Sequence, residues 1–157
     1  MDQRMSKDKY YLNIADAVLD RSTCLRRKYG EILSTGYNGA PRGRVNCSEL
    51  GYCNREQLKV PRGERYELCR SVHAEANAII SAQRRDMVGA TIYLVGRDAR
   101  SGELLHDTTS CAMCRRMIIN SGITRVVNRI GDDGIEIIDV QNWIVNDESI
   151  QPKAEAE

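Results

Sequence analysis

Apolar positions at helical spacing open the chain: Tyr11, Ile14, Ala15, Val18 and Leu19 follow Ser6 and lie on one stripe. This pattern predicts a first helix, capped by Ser6 and running to about Arg21, with the stripe turned into a core. A basic segment carrying one cysteine follows, and residues 31–36 then read as a short strand. Residues 37–43 hold Asn-Gly and Pro-x-Gly, which are turn sequences. Residues 44–70 are mostly polar and read as an inserted loop. Beyond it, Ala76, Ala78, Ile79, Ile80 and Ala82 predict a helix from His73 to about Arg85, with Asn77 and Arg84 on different faces. Residues 91–95 form an apolar strand and 96–103 a surface loop. A helix after Cys114 turns Ile118 and Ile119 inward and stops at Asn120-Ser121-Gly122. Residues 123–128 and 135–140 read as strands. Between them, 131–134 is a turn and not a calcium loop, since spaced acidic ligands are missing. A short helix docked through Trp143 is expected next, then a frayed tail over 150–157. Helices alternating with strands indicate an α/β fold, a three-layer α/β/α domain around a central mixed sheet.

Composition narrows the picture. A chain of 157 residues suits one domain with a proper core and is short for two, so residues 1–157 are expected to form one unit. A net charge of +1 leaves no broad basic footprint for nucleic acid. No run of roughly eighteen apolar residues marks a membrane span, and Met1-Asp2-Gln3-Arg4 does not resemble a signal peptide. The expected compartment is the cytoplasm, where six cysteines argue for metal more than for disulfides.

The chemistry lies in His73-Ala74-Glu75 and Cys111-Ala112-Met113-Cys114. Either motif alone is weak: His-x-Glu arises by chance, and Cys-x-x-Cys is more often a zinc knuckle or a redox pair. Together, with a strand between them and a helix after, they are specific. One imidazole and two thiolates suit a catalytic zinc that keeps its fourth position open for water. Glu75, at the start of a helix and two residues from His73, would reach that water without binding the metal. Zinc brings the water's pKa toward neutrality, and a neighbouring carboxylate moves the protons. The second histidine, His106, reads as a solvent-facing loop residue. The whole pattern resembles that of the zinc-dependent nucleobase deaminases. Ser110 stands where that pattern usually has Pro, and a Ser there can cap the following helix.

Further blocks sharpen the resemblance. Gly36-Tyr37-Asn38-Gly39, Ala40-Pro41-Arg42-Gly43, the cysteine-bearing stretch up to Cys69, and residues 73–79 look like the deoxycytidylate (dCMP) deaminases, over roughly residues 7–147. The resemblance implies zinc-dependent hydrolysis of dCMP to dUMP and ammonia, feeding dTMP synthesis. It implies His73, Cys111 and Cys114 as zinc ligands and Glu75 as the proton shuttle. It also implies Asn38, Arg42, Ala74 and Arg26 at the substrate, with Asn38 on the sugar and Arg42, joined by Arg26 or Arg27, on the 5′-phosphate. Some relatives carry an extra zinc. Here Cys24, Cys47, Cys53 and Cys69 are the candidate ligands of such a second structural zinc, with buried thiols as the alternative. Arg84 and Tyr37 fall at positions implied for effector control or subunit contact. Relatives are often homohexamers, activated by dCTP and inhibited by dTTP with Mg2+.

One departure is large. The family pattern has an apolar strand and a tight turn after a Lys-x-Gly like Lys28-Tyr29-Gly30, and here Glu31 follows at once. Loss of a core strand exposes a sheet edge, so residues are expected to be missing, with a chain break between Gly30 and Glu31. Other readings are a deaminase of nucleosides or tRNA, a competence-operon protein with the same domain, and a non-enzymatic zinc module.

Overall fold

The computed structural model describes residues 4–32 and 34–150. Leu33 of the expected strand, and the tail beyond residue 150, lie outside them. Helix α1 (Lys7–Val18) begins at Ser6, whose hydroxyl accepts a hydrogen bond from the Lys9 N–H at 3.3 Å. A 3₁₀ turn, Leu19–Arg21, extends it. Then come β1 (Arg27–Ile32), β2 (Thr35–Tyr37), α2 (Cys47–Leu50), α3 (Asn54–Gln57), α4 (Ala74–Ser81), α5 (Arg84–Met87), β3 (Thr91–Asp98), α6 (Ala112–Ser121), β4 (Arg125–Ile130), β5 (Gly134–Asp139) and α7 (Gln141–Val145). Among the described residues, five strands form one sheet in the order β2-β1-β3-β4-β5. Of these, β3 and β4, joined through α6, run parallel; the other pairs are antiparallel, so the sheet is mixed.

The period-two alternation of β3 and β4 divides the core between two faces of the sheet. Tyr93, Val95 and Val127 pack against Leu12, Ala15 and Leu19 of the first helix and its extension. Ile92 and Val126 face the other way, onto Met87, Ile118, Ile123 and Val140, with Trp143 at the margin of that cluster. Helices therefore cover both faces, which is the three-layer architecture expected.

At Gly30 and Glu31, where missing residues are expected, the chain is a strand. β1 runs through both, pairing Gly30 with Tyr37 on one side and with Val95 on the other. The basic segment itself supplies the strand, and the hairpin survives in short form. Gly30 makes this workable because a Cβ there would strike the Ala15 carbonyl and Leu19. Two other expectations need correction. The helix expected to reach Arg85 stops at Ser81. Ala82 and Gln83 are extended, and α5 is a separate turn of helix. Segment 44–70, in turn, is not featureless: α2, α3 and a 3₁₀ turn at Tyr66–Leu68 break it up. The Asn46 side chain and Glu49 box the start of α2, with the Asn46 N–H on Glu49 Oε2 at 2.7 Å.

Candidate active site

Backbone contacts bring the two motifs together. Gly36 lets β2 lie directly on the start of α4, where a Cβ would collide with the Ala74 carbonyl and with Ala78. Asn77 Nδ2 donates to the Tyr37 carbonyl at 2.8 Å. Gly39 and Val72 exchange two backbone hydrogen bonds, at 3.2 and 2.7 Å, which fixes the residue just before His73. His73 is then the extended residue that leads into α4. Cys111 plays the same part for α6. Its own Sγ accepts the Cys114 N–H at 3.5 Å, so Cys111 and not Ser110 is the cap. α4 and α6 pack together, and both motifs sit at adjoining helix starts.

His73 Nδ1 lies 3.5 Å from Cys111 Sγ and 3.4 Å from Cys114 Sγ, and the three donor atoms fall within 4.8 Å of one another. Zinc bound tetrahedrally at about 2.3 Å to sulfur and about 2.05 Å to nitrogen spaces those ligand atoms about 3.5 Å apart. The donor set fits that ion in kind and in spacing. Burial acts to lower the His73 pKa, but hydrogen bonding to Cys111 and Cys69 raises it to about 10. Hydrogen bonding with Cys114, helped by His73 and opposed by burial, brings Cys111 down to about 4. A thiolate at the positive end of α6 facing an imidazolium is a site that gives up a proton as it takes up a metal ion. Glu75 is 5% exposed, and burial raises its carboxyl pKa against the pull of its own backbone amide and His73. A carboxyl shifted toward protonation at neutral pH suits proton transfer.

Above these residues opens a cavity of about 260 Å³. His73, Ala74, Glu75 and Cys111 line its deep end, and Tyr29 and Asn38 its wall. Asn38 Oδ1 accepts from the Ser22 hydroxyl at 2.5 Å and the Tyr29 N–H at 2.8 Å. Its Nδ2 donates to the Arg27 carbonyl at 2.9 Å, which leaves its second amide hydrogen uncommitted. Arg26 lines the cavity and pairs with Glu56 at 3.1 Å. Arg42 is exposed and is not part of the lining. Cys24, Cys53 and Cys69 line the cavity, and Cys47 is buried beside them. Burial raises the Cys47 pKa, and the charges of Cys24, Cys69 and Cys53 add to it. Among the described residues, these four do not close to the spacing of the His73 set.

Arg84 lies elsewhere, donating to the Asn120 carbonyl at 3.0 Å in a groove with Ile79, Met87 and Met113. Tyr37 is half-buried, with Arg21 5.9 Å from its ring centre. His106 is exposed, as expected.

The structure adds residues that sequence reasoning passed over. Tyr66 stands edge-on to the His73 ring at 5.0 Å, and Arg55 lies 4.6 Å from the Tyr66 ring centre. Arg55 is held by the carbonyls of Pro61 and Glu64 at 3.0 and 2.6 Å. Arg62 and Asp107 meet at the cavity mouth. No local pattern announces Tyr66 or Arg55. For Arg62 a signal existed, because Pro61-Arg62-Gly63 repeats the Pro-Arg-Gly of residues 41–43.

Comparison with known proteins agrees with this geometry. The chain is 38% identical to a deoxycytidylate deaminase of Mycobacterium phage D29, over 76% of this chain and 91% of that protein. It is 34% identical to a deoxycytidylate deaminase of Schizosaccharomyces pombe, over 79% of this chain but only 37% of that longer protein. In fold it resembles a cytidine deaminase from Burkholderia pseudomallei, with a TM-score of 0.50 at 18% identity, covering 88% of this chain and 95% of the other. A dCMP deaminase from cyanophage S-TIM5 in apo form also gives 0.50, at 21% identity over 80% and 85% of the two chains. Residues 5–129 match the family described as cytidine and deoxycytidylate deaminase zinc-binding region, and the chain belongs to that family.

Proposed function

We propose that this chain hydrolyses dCMP to dUMP and ammonia, a step that feeds dTMP synthesis. The observation that carries the reading is the His73, Cys111 and Cys114 donor set beside a buried carboxyl, in a cavity whose mouth is rich in arginine. His73, Cys111 and Cys114 are the residues to hold the metal. When bound there, zinc supplies the Lewis acidity that makes water a nucleophile near neutral pH. Glu75 takes one proton from the attacking water and passes it to N3 of the cytosine ring. It then takes the remaining proton from the new C4 hydroxyl and gives it to the amine, so that the C4–N bond breaks, ammonia leaves and C4 becomes a carbonyl. Its burial favours the protonated form that the second half of the sequence needs. Asn38, already fixed by three hydrogen bonds, offers its remaining N–H to the deoxyribose. Ala74 closes the deep wall, and Arg26 adds positive charge at the mouth.

The same reading makes Cys24, Cys47, Cys53 and Cys69 the ligands of a second, structural zinc that staples segment 44–70 to the first helix's exit. Its support is that three of these thiols share one cavity wall and the fourth is buried next to them. It also takes the protein as a cytoplasmic homohexamer under dCTP and dTTP control with Mg2+. The groove around Arg84, flanked by exposed Ile80 and Met113, is the surface that would meet a second copy. Purified protein tests the substrate and the second zinc. Ammonia release should be far faster from dCMP than from deoxycytidine, and metal analysis should show zinc beyond one equivalent. Equal rates on the two substrates overturn the nucleotide reading. A single equivalent, unchanged in Cys47→Ser, removes the second zinc.

A further inference from the structure

Two guanidinium groups at the cavity mouth share one carboxylate. Arg27 Nη1 donates to both oxygens of Asp107, at 3.2 and 3.4 Å, and Arg62 Nη2 donates to Asp107 Oδ2. The three residues come from β1, from segment 44–70 and from the loop before α6, so chain proximity does not explain their meeting. All three line the cavity that holds His73 and Glu75. The other arginines of the lining are engaged differently. Arg26 pairs with Glu56, which does not line the cavity, and Arg55 is spent on backbone carbonyls.

Charge and exposure make this clasp exchangeable. The hydrogen bond from Arg62 is the largest influence on Asp107, and with Arg27 it holds the carboxyl below its ordinary range, so the group is an anion. One negative charge against two positive ones leaves the cluster short of an anion. The side chains of Arg27, Arg62 and Asp107 are 29%, 61% and 50% exposed, so water screens the clasp and little holds it shut. A phosphate monoester carries close to two negative charges near neutral pH and offers three strong acceptor oxygens. Two planar guanidinium forks match it better than they match a single carboxylate.

We infer that Asp107 is a resident counter-ion in the 5′-phosphate subsite, and that Arg27 and Arg62 pass from Asp107 to the phosphate when the nucleotide enters. This rests on the dCMP reading for the identity of the phosphate's carrier, but the anion exchange itself does not. The exchange makes the site selective: a bare nucleoside brings nothing to compete with Asp107, so the two arginines contribute nothing to binding it. Arg62 then supplies from segment 44–70 the contact that the sequence pattern assigned to Arg42.

The test uses the zinc-loaded full chain as wild type, Asp107→Asn and Arg62→Ala. Binding of inorganic phosphate is read by calorimetry, and selectivity as the ratio of kcat/KM for dCMP over deoxycytidine. Asp107→Asn should bind phosphate about fivefold more tightly, and Arg62→Ala should lower the dCMP ratio by about tenfold or more. The two effects run in opposite directions, so a shared folding defect cannot produce both. Phosphate affinity unchanged or weaker in Asp107→Asn, or a ratio unchanged in Arg62→Ala, overturns the inference. Tighter phosphate binding without any turnover of dCMP leaves the anion exchange supported and sinks the dCMP reading. Turnover of dCMP with both variants matching wild type sinks the subsite alone.

Discussion

The starts of α4 and α6 and the segment 44–70 both face the same cavity, yet they are built in opposite ways. The helix starts hold His73, Cys111 and Cys114 through short-range geometry: an extended residue, a first turn, and neighbours fixed by backbone hydrogen bonds. Segment 44–70 has two single turns of helix and one 3₁₀ turn, and it reaches the site chiefly through long side chains. Tyr66 leans on the His73 ring, Arg55 lies against Tyr66, and Arg62 reaches Asp107. The helix starts fix which reaction the site can carry out. The segment adjusts how the site is held and which molecule enters it.

The largest expected effect breaks the first region. Glu75→Gln keeps the shape of the buried side chain while removing its ability to shuttle a proton. Turnover should fall by at least about 10²- to 10⁴-fold, with zinc content unchanged by metal analysis. Activity near wild type would remove Glu75 from the chemistry. A smaller effect probes the second region. Tyr66→Leu removes the edge-on ring against His73 without touching a metal ligand. An edge-on ring contact is worth about 0.5–1.5 kcal/mol, so zinc affinity should fall by up to about tenfold and zinc should be lost sooner in competition with a chelator. Unchanged affinity would mean that the helix starts hold the imidazole without help from the segment.

The same contrast explains what the sequence could disclose. The His73, Cys111 and Cys114 spacing is legible because each motif stands at a helix start, where position along the chain dictates position in space. The layers were legible for a similar reason. Ala15 and Leu19 of the predicted stripe meet Tyr93 and Val95 of the apolar run in one core, although Tyr11 of that stripe is exposed and Leu12 is buried in its stead. The break between α4 and α5 was not, since Ala82 and Gln83 carry no Gly or Pro to mark it. The short β1–β2 hairpin was hidden too. Arg26, Arg27 and Lys28 look like a charged loop, and only pairing with residues 93–98 turns residues 27–32 into a strand. Asp107 and Tyr66 belong to the same class: each acts through a residue distant in sequence, and no local period encodes such contacts.

The smallest effect sharpens the comparison by perturbing neither region. Asp8 of α1 accepts hydrogen bonds from Arg125 Nη1 and Nη2 at 3.0 and 2.7 Å, and from the Tyr93 hydroxyl at 3.1 Å, which ties the first helix to β3 and β4. The hydrogen bonds from Arg125 are the chief cause holding this carboxyl below the ordinary aspartate range. A carboxylate with a lowered folded pKa stabilises the fold above its unfolded pKa, and that contribution is lost as pH falls through the folded value. The pair is partly exposed, with side chains 23% and 34% accessible, so after screening its worth is about 1 kcal/mol. Asp8→Asn should therefore lower urea stability by that amount at pH 7, and the gap from wild type should narrow as pH drops through the carboxylate range. Because Asp8 lies across the sheet's far layer from His73, zinc affinity and the dCMP preference should stay at wild-type values. A shift in either would mean that the metal-bearing helix starts draw on the first helix for their geometry, and that the division between the two regions of the site is less local than the contacts indicate.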